Sequence, residues 1–243
     1  MSPEPSKHAP GEAVSREELI HGQIEYYRAR ANEYDEWVYR KGRYDHGAEA
    51  NQQWFVEQAE VGAALTAFDP KGKVLEFAGG TGYWTARLLQ HADSVTVVDA
   101  SPEMLALNRQ RVGDERVRHQ LADIFAYQPD GPADVVFFGF WLSHVPADRF
   151  AEFWDLVRRS LKPNGRFFLV DSLYNPESTA KDHRLEGPDH TTTLRRLNDG
   201  REFEIVKIFY RPPDLTARLA TLGWQAEARA TQSHFLYAWG RGE

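Results

Sequence analysis

Between residues 74 and 171 short apolar runs alternate with stretches of helical spacing. Val74–Phe77, Ser94–Val98, Val117–Leu121, Ala133–Phe138 and Arg166–Asp171 read as strands. Ala133–Phe138 is apolar almost throughout, as a parallel strand covered on both faces requires. Between them, Tyr83–Leu89, the stretch after Ser101 with Met104, Leu105 and Leu107, and Asp148–Leu161 with Phe150, Phe153, Trp154 and Val157 on one face read as helices. Ser101 followed by Pro102 opens the second of these, and Lys162–Gly165 reads as a turn. Strands and helices alternating on short connections predict a doubly wound parallel α/β sheet.

The rhythm differs at both ends. Ser15 to Glu18 has the spacing of a capping box, so a helix is expected through Tyr26, Tyr27 and Arg28. Tyr27, Tyr34 and Trp37 recur at roughly helical intervals, either packing on the domain or closing over a ligand. Residues 48–67 predict another helix, broken at Pro70–Gly72. Beyond residue 171, Thr191–Leu197 and Arg201–Tyr210 flank the hairpin signal Asn198-Asp199-Gly200. A helix from Pro212 to Leu222 and two strands, Gln225–Ala230 and His234–Trp239, follow. Residues 1–14 are expected to be disordered and 15–243 to form one domain, with a helical lid over 15–47 and an inserted hairpin cap over 173–210.

Composition narrows the function. The formal charge is −7, which argues against phosphate-backbone binding, so no nucleic-acid partner is expected. With no cysteine, disulfides, thiolate metal sites and cysteine nucleophiles are excluded. Met1–Gly11 lacks the apolar stretch of a signal peptide, and no segment is long and apolar enough to span a bilayer; no membrane partner and a cytoplasmic location are expected. Much of the aromatic content falls outside the predicted sheet, which points to an aromatic-lined pocket.

The chemistry centres on residues 74–82. A buried strand runs into Ala78-Gly79-Gly80-Thr81-Gly82 and then a helix, the opening of a nucleotide-binding unit. Asp99 ends the next strand about 20 residues on, the distance at which a carboxylate accepts hydrogen bonds from a ribose.

The runs VLEFAGGTG, VTVVDASPEML, LADIF, DVVFFGF and LKPNGRFFLVDS, in this order and spacing, resemble the class I S-adenosylmethionine-dependent methyltransferases over residues 20–240. The segments YYRARANEYDEW, FWLSHVP and RRLNDGREF resemble a bacterial branch that modifies small molecules. The resemblance implies a Rossmann-like, seven-stranded sheet, S-adenosyl-L-methionine as cofactor, and a small-molecule methyl acceptor, apolar or aromatic, methylated on oxygen or nitrogen. One departure is Ala78, where the family commonly has glycine; Gly79 is read as restoring flexibility beside it.

The same resemblance implies roles. Ala78, Gly79, Gly80 and Gly82 pass along the cofactor, Glu76 reaches its amino group, and Asp99 holds the ribose hydroxyls. Ala100 and Met104 pack on the adenine, which Asp123 and Ile124 hydrogen-bond. Phe140 and Trp141 lie beside the sulfonium. Tyr26, Tyr27 and Arg28 close over the methionine carboxylate, with Arg28 pairing to it. The acceptor pocket draws on Trp37, Tyr39, Trp141, His144, Tyr174 and Phe209. His144 is the candidate base, needed for a hydroxyl acceptor but not for a carboxylate or neutral amine. His46, His183 and His190 are weaker candidates, and with no clear ligand pair beside Asp182 or Asp189 no metal is expected. Two alternatives share the glycine turn: a nicotinamide-dependent oxidoreductase, whose fingerprint is broken by Thr85, and a non-catalytic protein that binds the same cofactor.

Overall fold

A computed structural model describes residues 15–183 and 185–243; the disorder expected of residues 1–14 lies outside the described residues. Nine strands are described: β1 Lys73–Phe77, β2 Ser94–Asp99, β3 Val117–Leu121, β4 Ala133–Gly139, β5 Leu161–Ser172, β6 Thr192–Arg196, β7 Glu202–Val206, β8 Trp224–Ala230 and β9 Phe235–Gly242. Seven of them form one sheet in the order β3-β2-β1-β4-β5-β9-β8, in which β9 alone runs antiparallel to the others. The remaining two, β6 and β7, form a separate antiparallel hairpin. This is the seven-stranded, doubly wound fold expected.

Among the described residues the α-helices are α1 Arg16–Arg30, α2 Tyr34–Val38, α3 Ala48–Phe68, α4 Thr85–Leu88, α5 Pro102–Val112, α6 Phe150–Ser160 and α7 Pro212–Ala220. The capping box forms: Ser15 Oγ accepts from the Glu18 amide and the Glu18 carboxylate accepts from the Ser15 amide. Ser101 Oγ accepts from the Met104 amide and starts α5.

Two apolar layers cover the sheet. On one face Phe77, Val136, Phe138 and Leu169 pack with Phe153, Trp154 and Val157 of α6 and Leu215 and Leu219 of α7. On the other, Val95, Val97, Phe137 and Phe168 pack with Trp54, Val61 and Leu65 of α3, Leu88 of α4 and Leu105 of α5. A small third cluster joins Tyr26 of α1 to Leu197 and Ile205 of the hairpin.

Three local differences from the sequence reading have physical causes. Helix α4 spans only Thr85–Leu88, because the turn from Gly79 to Gly82 consumes the residues before it. Tyr27, Tyr34 and Trp37 do not share one helix; a 3-10 turn, Ala31–Glu33, separates α1 from α2. Strand β5 takes in Lys162–Gly165, since Leu161 already pairs with Ala133. The turn signal survives as an interruption: Asn164 sits at φ 67° and the register shifts before Val135 meets Arg166.

Candidate functional site

Strand β1 has β2 on one side and β4 on the other, so the chain order reverses there. A crevice opens beyond the carboxyl ends of strands at such a point. Two backbones bend sharply at its floor. Ala78, after β1, has φ 52° and its amide donates to the Val98 carbonyl; Phe140, after β4, has φ 55° and its amide donates to the Val170 carbonyl. Gly79 is required by space and not by dihedral: a Cβ there would lie 2.4 Å from Val97 Cγ1. Its role is therefore close packing, where flexibility was expected.

Asp99 ends β2 at the centre of the crevice. Its Oδ2 accepts from the Gly80 amide at 2.9 Å and its Oδ1 from the Ser101 amide at 2.9 Å. Burial pushes its carboxyl up to about 6, against the lowering pull of these amides. The crevice is lined by Ala78, Gly80, Asp99, Ala100 and Met104, and also by Asp123, Ile124, Phe140, Trp141 and His144. Its wall combines the apolar side chains of Met104, Ile124, Phe125 and Trp141 with the acceptor Asp99. An aromatic base with a hydroxylated sugar fits that combination.

Not every expected residue reaches this cavity. Glu76 is turned beneath the glycine turn and accepts from Thr85 Oγ1 at 2.6 Å, its carboxyl held up at about 8 by burial. Asn108 Nδ2 ties the same Thr85 to the Gly79 and Gly80 carbonyls. Gly82, at φ 87°, packs against Asn108 and not the crevice. Tyr26 is buried against Phe203 of the hairpin, and Arg28 points outward to Glu25 and Glu103. Helical period explains the split: Ile20, Gln23, Ile24 and Tyr27 share the face of α1 that lines the crevice, and Tyr26 and Arg28 do not. That four-residue pattern was visible in the sequence. Lid residues also grip the turn, as Asp35 of α2 accepts from Thr81 Oγ1 at 2.7 Å and pairs with Arg111.

A second cavity adjoins the first, and Tyr27, Tyr34, Phe140 and His144 line both. Trp37 and Phe209 are on its wall as expected; Tyr39 and Tyr174, 42% and 37% exposed, are not. The sequence reading missed Arg30, Tyr44, Arg195 and Lys207, which are there. His183 is there too, its imidazole pushed down to about 4 by burial and by Arg195. His46 is bonded to the Thr179 carbonyl. Among the described residues no cluster of three His, Asp or Glu is placed to hold a metal ion.

His144 stands where the cavities meet. Its Nδ1 lies 2.7 Å from the Val206 carbonyl, which only accepts, so Nδ1 carries the proton. Its Nε2 then accepts from the Tyr27 hydroxyl at 2.7 Å. Burial first, and Lys207 second, hold the imidazole well below its ordinary value, so it is neutral.

Comparison with known proteins places the chain among methyltransferases. A family model for a methyltransferase domain matches residues 74–165. The solved structure described as a DhpI-SAH complex is 38% identical, covering 94% of this chain and 98% of that one with a TM-score of 0.75. A DhpI-SAM-HEP complex is 37% identical, covering 94% and 100% with a TM-score of 0.76. An uncharacterised methyltransferase of Staphylococcus carnosus (strain TM300) is 24% identical over 159 residues, 65% of this chain and 72% of that relative. A ubiquinone/menaquinone biosynthesis C-methyltransferase of Methylobacterium nodulans is 34% identical over 106 residues, and the chain spans only 41% of its length.

Proposed function

Because the chain belongs to the class I S-adenosylmethionine-dependent methyltransferases, we propose that it transfers a methyl group to an oxygen or nitrogen of a small molecule held in the second cavity. The observation that carries this reading is the shared wall of Tyr27, Tyr34, Phe140 and His144 between the crevice that holds Asp99 and its neighbouring cavity. When bound, S-adenosylmethionine supplies a methyl group already activated by a positive sulfur.

The chain's own residues have three tasks. The first is to hold the cofactor. Asp99 accepts from the ribose hydroxyls, Met104 and Ala100 pack on the adenine, and Asp123 accepts its amino group while its Oδ1 holds the Phe125 amide. Glu76 acts beneath the turn, keeping Thr85 in place. The second task is alignment. Phe140, fixed at φ 55° and edge-on to Trp37 at 4.6 Å, separates the two cavities and sets the line between acceptor and methyl. The third is exclusion of water, which falls to α1 and α2 as a lid on the crevice and to the hairpin as a cap on the second cavity. His144 positions Tyr27 at the junction; a proton leaving a hydroxyl acceptor would reach its Nε2 only after Tyr27 gives up that bond.

Calorimetric titration with S-adenosylhomocysteine, with NAD in parallel, tests the cofactor part. Micromolar binding of the first and none of the second is expected. Binding of NAD alone would overturn the assignment of Asp99 and of the glycine turn together.

A further inference from the structure

Helix α3 turns an apolar face to solvent. Trp54, Glu57, Val61, Leu65 and Phe68 are buried on its inner side. The outer side carries Phe55, Val56, Ala59, Ala63 and Ala67, all exposed, with Phe55 at 41% and Val56 at 56%. Helical period sets Val56, Ala59, Ala63 and Ala67 in one stripe. The helix holds no lysine or arginine, and its exposed acids are Glu49 near the start and Glu60 on the flank. Glu60 is turned back to the sheet, where its carboxylate accepts from Tyr237 Oη at 3.4 Å. Helix α6 differs: of its four exposed residues, Glu152, Asp155 and Arg159 are charged. Gly62 adds a second sign. Glycine within a helix costs about 1 kcal/mol relative to alanine. Yet a Cβ on Gly62 would meet nothing of this chain within 4 Å. Room for another backbone would account for it.

The stripe ends at a hollow. Ala64, Ala67, Phe68, Arg166, Tyr237 and Trp239 line it, and the Tyr237 and Trp239 rings stack with centroids 6.0 Å apart. Arg166 lies over the Phe68 ring at 4.2 Å and donates to the Phe68 and Asp69 carbonyls, each at 3.0 Å. Its guanidinium is thereby fixed at the C-terminal end of α3. Among the described residues no carboxylate pairs with Arg166, and Glu49, in the first turn at the other end, has neither a hydrogen bond nor an ion pair. The face therefore has an acid and a projecting valine toward one end, small residues in the middle, and a hollow with a base at the other. Such a surface is its own complement when two copies meet antiparallel.

We propose that this chain forms a two-fold symmetric dimer in which α3 of one copy packs antiparallel on α3 of the other. The crossing falls near residue 61, where Ala59, Gly62 and Ala63 let the helix axes approach to about 8 Å. Val56 of each copy then faces Ala67 and the hollow of the other. Glu49 lies about 18 Å before the crossing, and the carbonyls held by Arg166 lie about 12 Å beyond it, so the two long side chains can meet across the remaining few ångströms. The arrangement also sets the start of each helix beside the end of the other, where opposite partial charges face. A second copy is the occupant because this one face already carries the complement of each of its features. The contact closes at two copies. It leaves the crevice and the second cavity free, since Val56, Ala59 and Ala63 line neither.

Sedimentation equilibrium of the whole chain at micromolar concentration tests this, and a dimer is expected. Val56→Arg and Ala63→Arg should each raise its dissociation constant about a hundredfold, by setting a charge in an apolar contact. Glu49→Lys should raise it about tenfold at low salt and less at high salt. Asp155→Arg, on the charged face of α6, should leave the dimer intact. Unchanged affinity for S-adenosylhomocysteine reports that each variant is folded, and Glu49→Lys, at the exposed helix start, carries the test if either arginine variant is not. The chain has no cysteine, so single thiols can report the register. Oxidising a mixture of Ala59→Cys and Ala63→Cys should give the mixed disulfide in preference to either symmetric one. A monomer at every concentration overturns the proposal. So does a dimer that all three α3 variants leave unchanged, since another face would then hold it. Growth beyond two copies would overturn the two-fold closure.

Discussion

Asp99 meets two opposed demands. It must stay an acceptor for a ligand, and it sits where water is scarce, with burial raising its carboxyl from 3.8 to about 6. An acid whose folded pKa lies above its unfolded value destabilises the fold once ionised, so this contribution worsens as pH rises from about 4 through 6. In Asp99→Asn that dependence disappears. Without ligand, the variant should gain on the wild type by on the order of 3 kcal/mol between pH 4 and pH 7. Its affinity for S-adenosylhomocysteine should fall by about 2–4 kcal/mol, through lost charge-assisted hydrogen bonds. Paired denaturation curves across pH check the first; parallel curves at every pH would show that Asp99 carries no buried charge.

Ala78 carries a different strain. At φ 52° a Cβ costs about 1–2 kcal/mol, while glycine there adds about 0.5–1 kcal/mol of chain entropy to folding. Ala78→Gly is therefore expected to stabilise by up to about 1 kcal/mol. Gly82→Ala goes the other way, by about 2 kcal/mol, since φ is 87° and the new Cβ would meet Asn108 Cγ at 3.0 Å and its Cα at 3.2 Å. Urea midpoints read both; the same sign for the two would refute the strain assignment. The departure from glycine at residue 78 was visible in the sequence. The left-handed backbone that gives it a cost was not, because it depends on where β2 holds the turn.

At the scale of elements, α1 and the hairpin share an apolar cluster and are also tied by one polar side chain. Gln23 is buried; its Nε2 donates to the His144 carbonyl at 3.2 Å and its Oε1 accepts from the Val206 amide at 3.2 Å. A helix, the turn after β4 and the end of β7 thus share a two-sided bond. Gln23→Ala leaves a buried N–H and a buried carbonyl without partners, at a cost of about 1–3 kcal/mol. Brief protease treatment should cut the variant faster within 192–206 while the seven-stranded sheet stays intact. Cleavage at the wild-type rate would mean that the hairpin is held by its apolar contacts alone. The capping box of α1 was plain from Ser15 and Glu18, and so was the Asn-Asp-Gly hairpin. Their mutual packing was not, for nothing local in either segment names the other.

At the scale of the molecule, the chain is acidic overall, yet its inner cavity is positive. Net charge counts every group equally, whereas a binding site is decided by the few that lose water. This is why the −7 balance bears on a polyanionic partner and says nothing about a small one. Among the described residues no helix is long and apolar enough to cross a membrane, in line with the hydropathy of the sequence.

Local order carries far in this protein. The alternation of apolar runs, the glycine turn and the position of Asp99 determine a doubly wound sheet with a nucleotide crevice at its reversal, because strand and helix periods and backbone sterics act within a few residues. The two faces of α1 also follow from period alone. The second cavity does not. Arg30, Arg195 and Lys207 lie far apart along the chain and look like ordinary surface cations in their own segments. Only when the hairpin folds back onto α1 do they lose solvent together, and a charge acquires its chemical meaning from the dielectric and the partners around it.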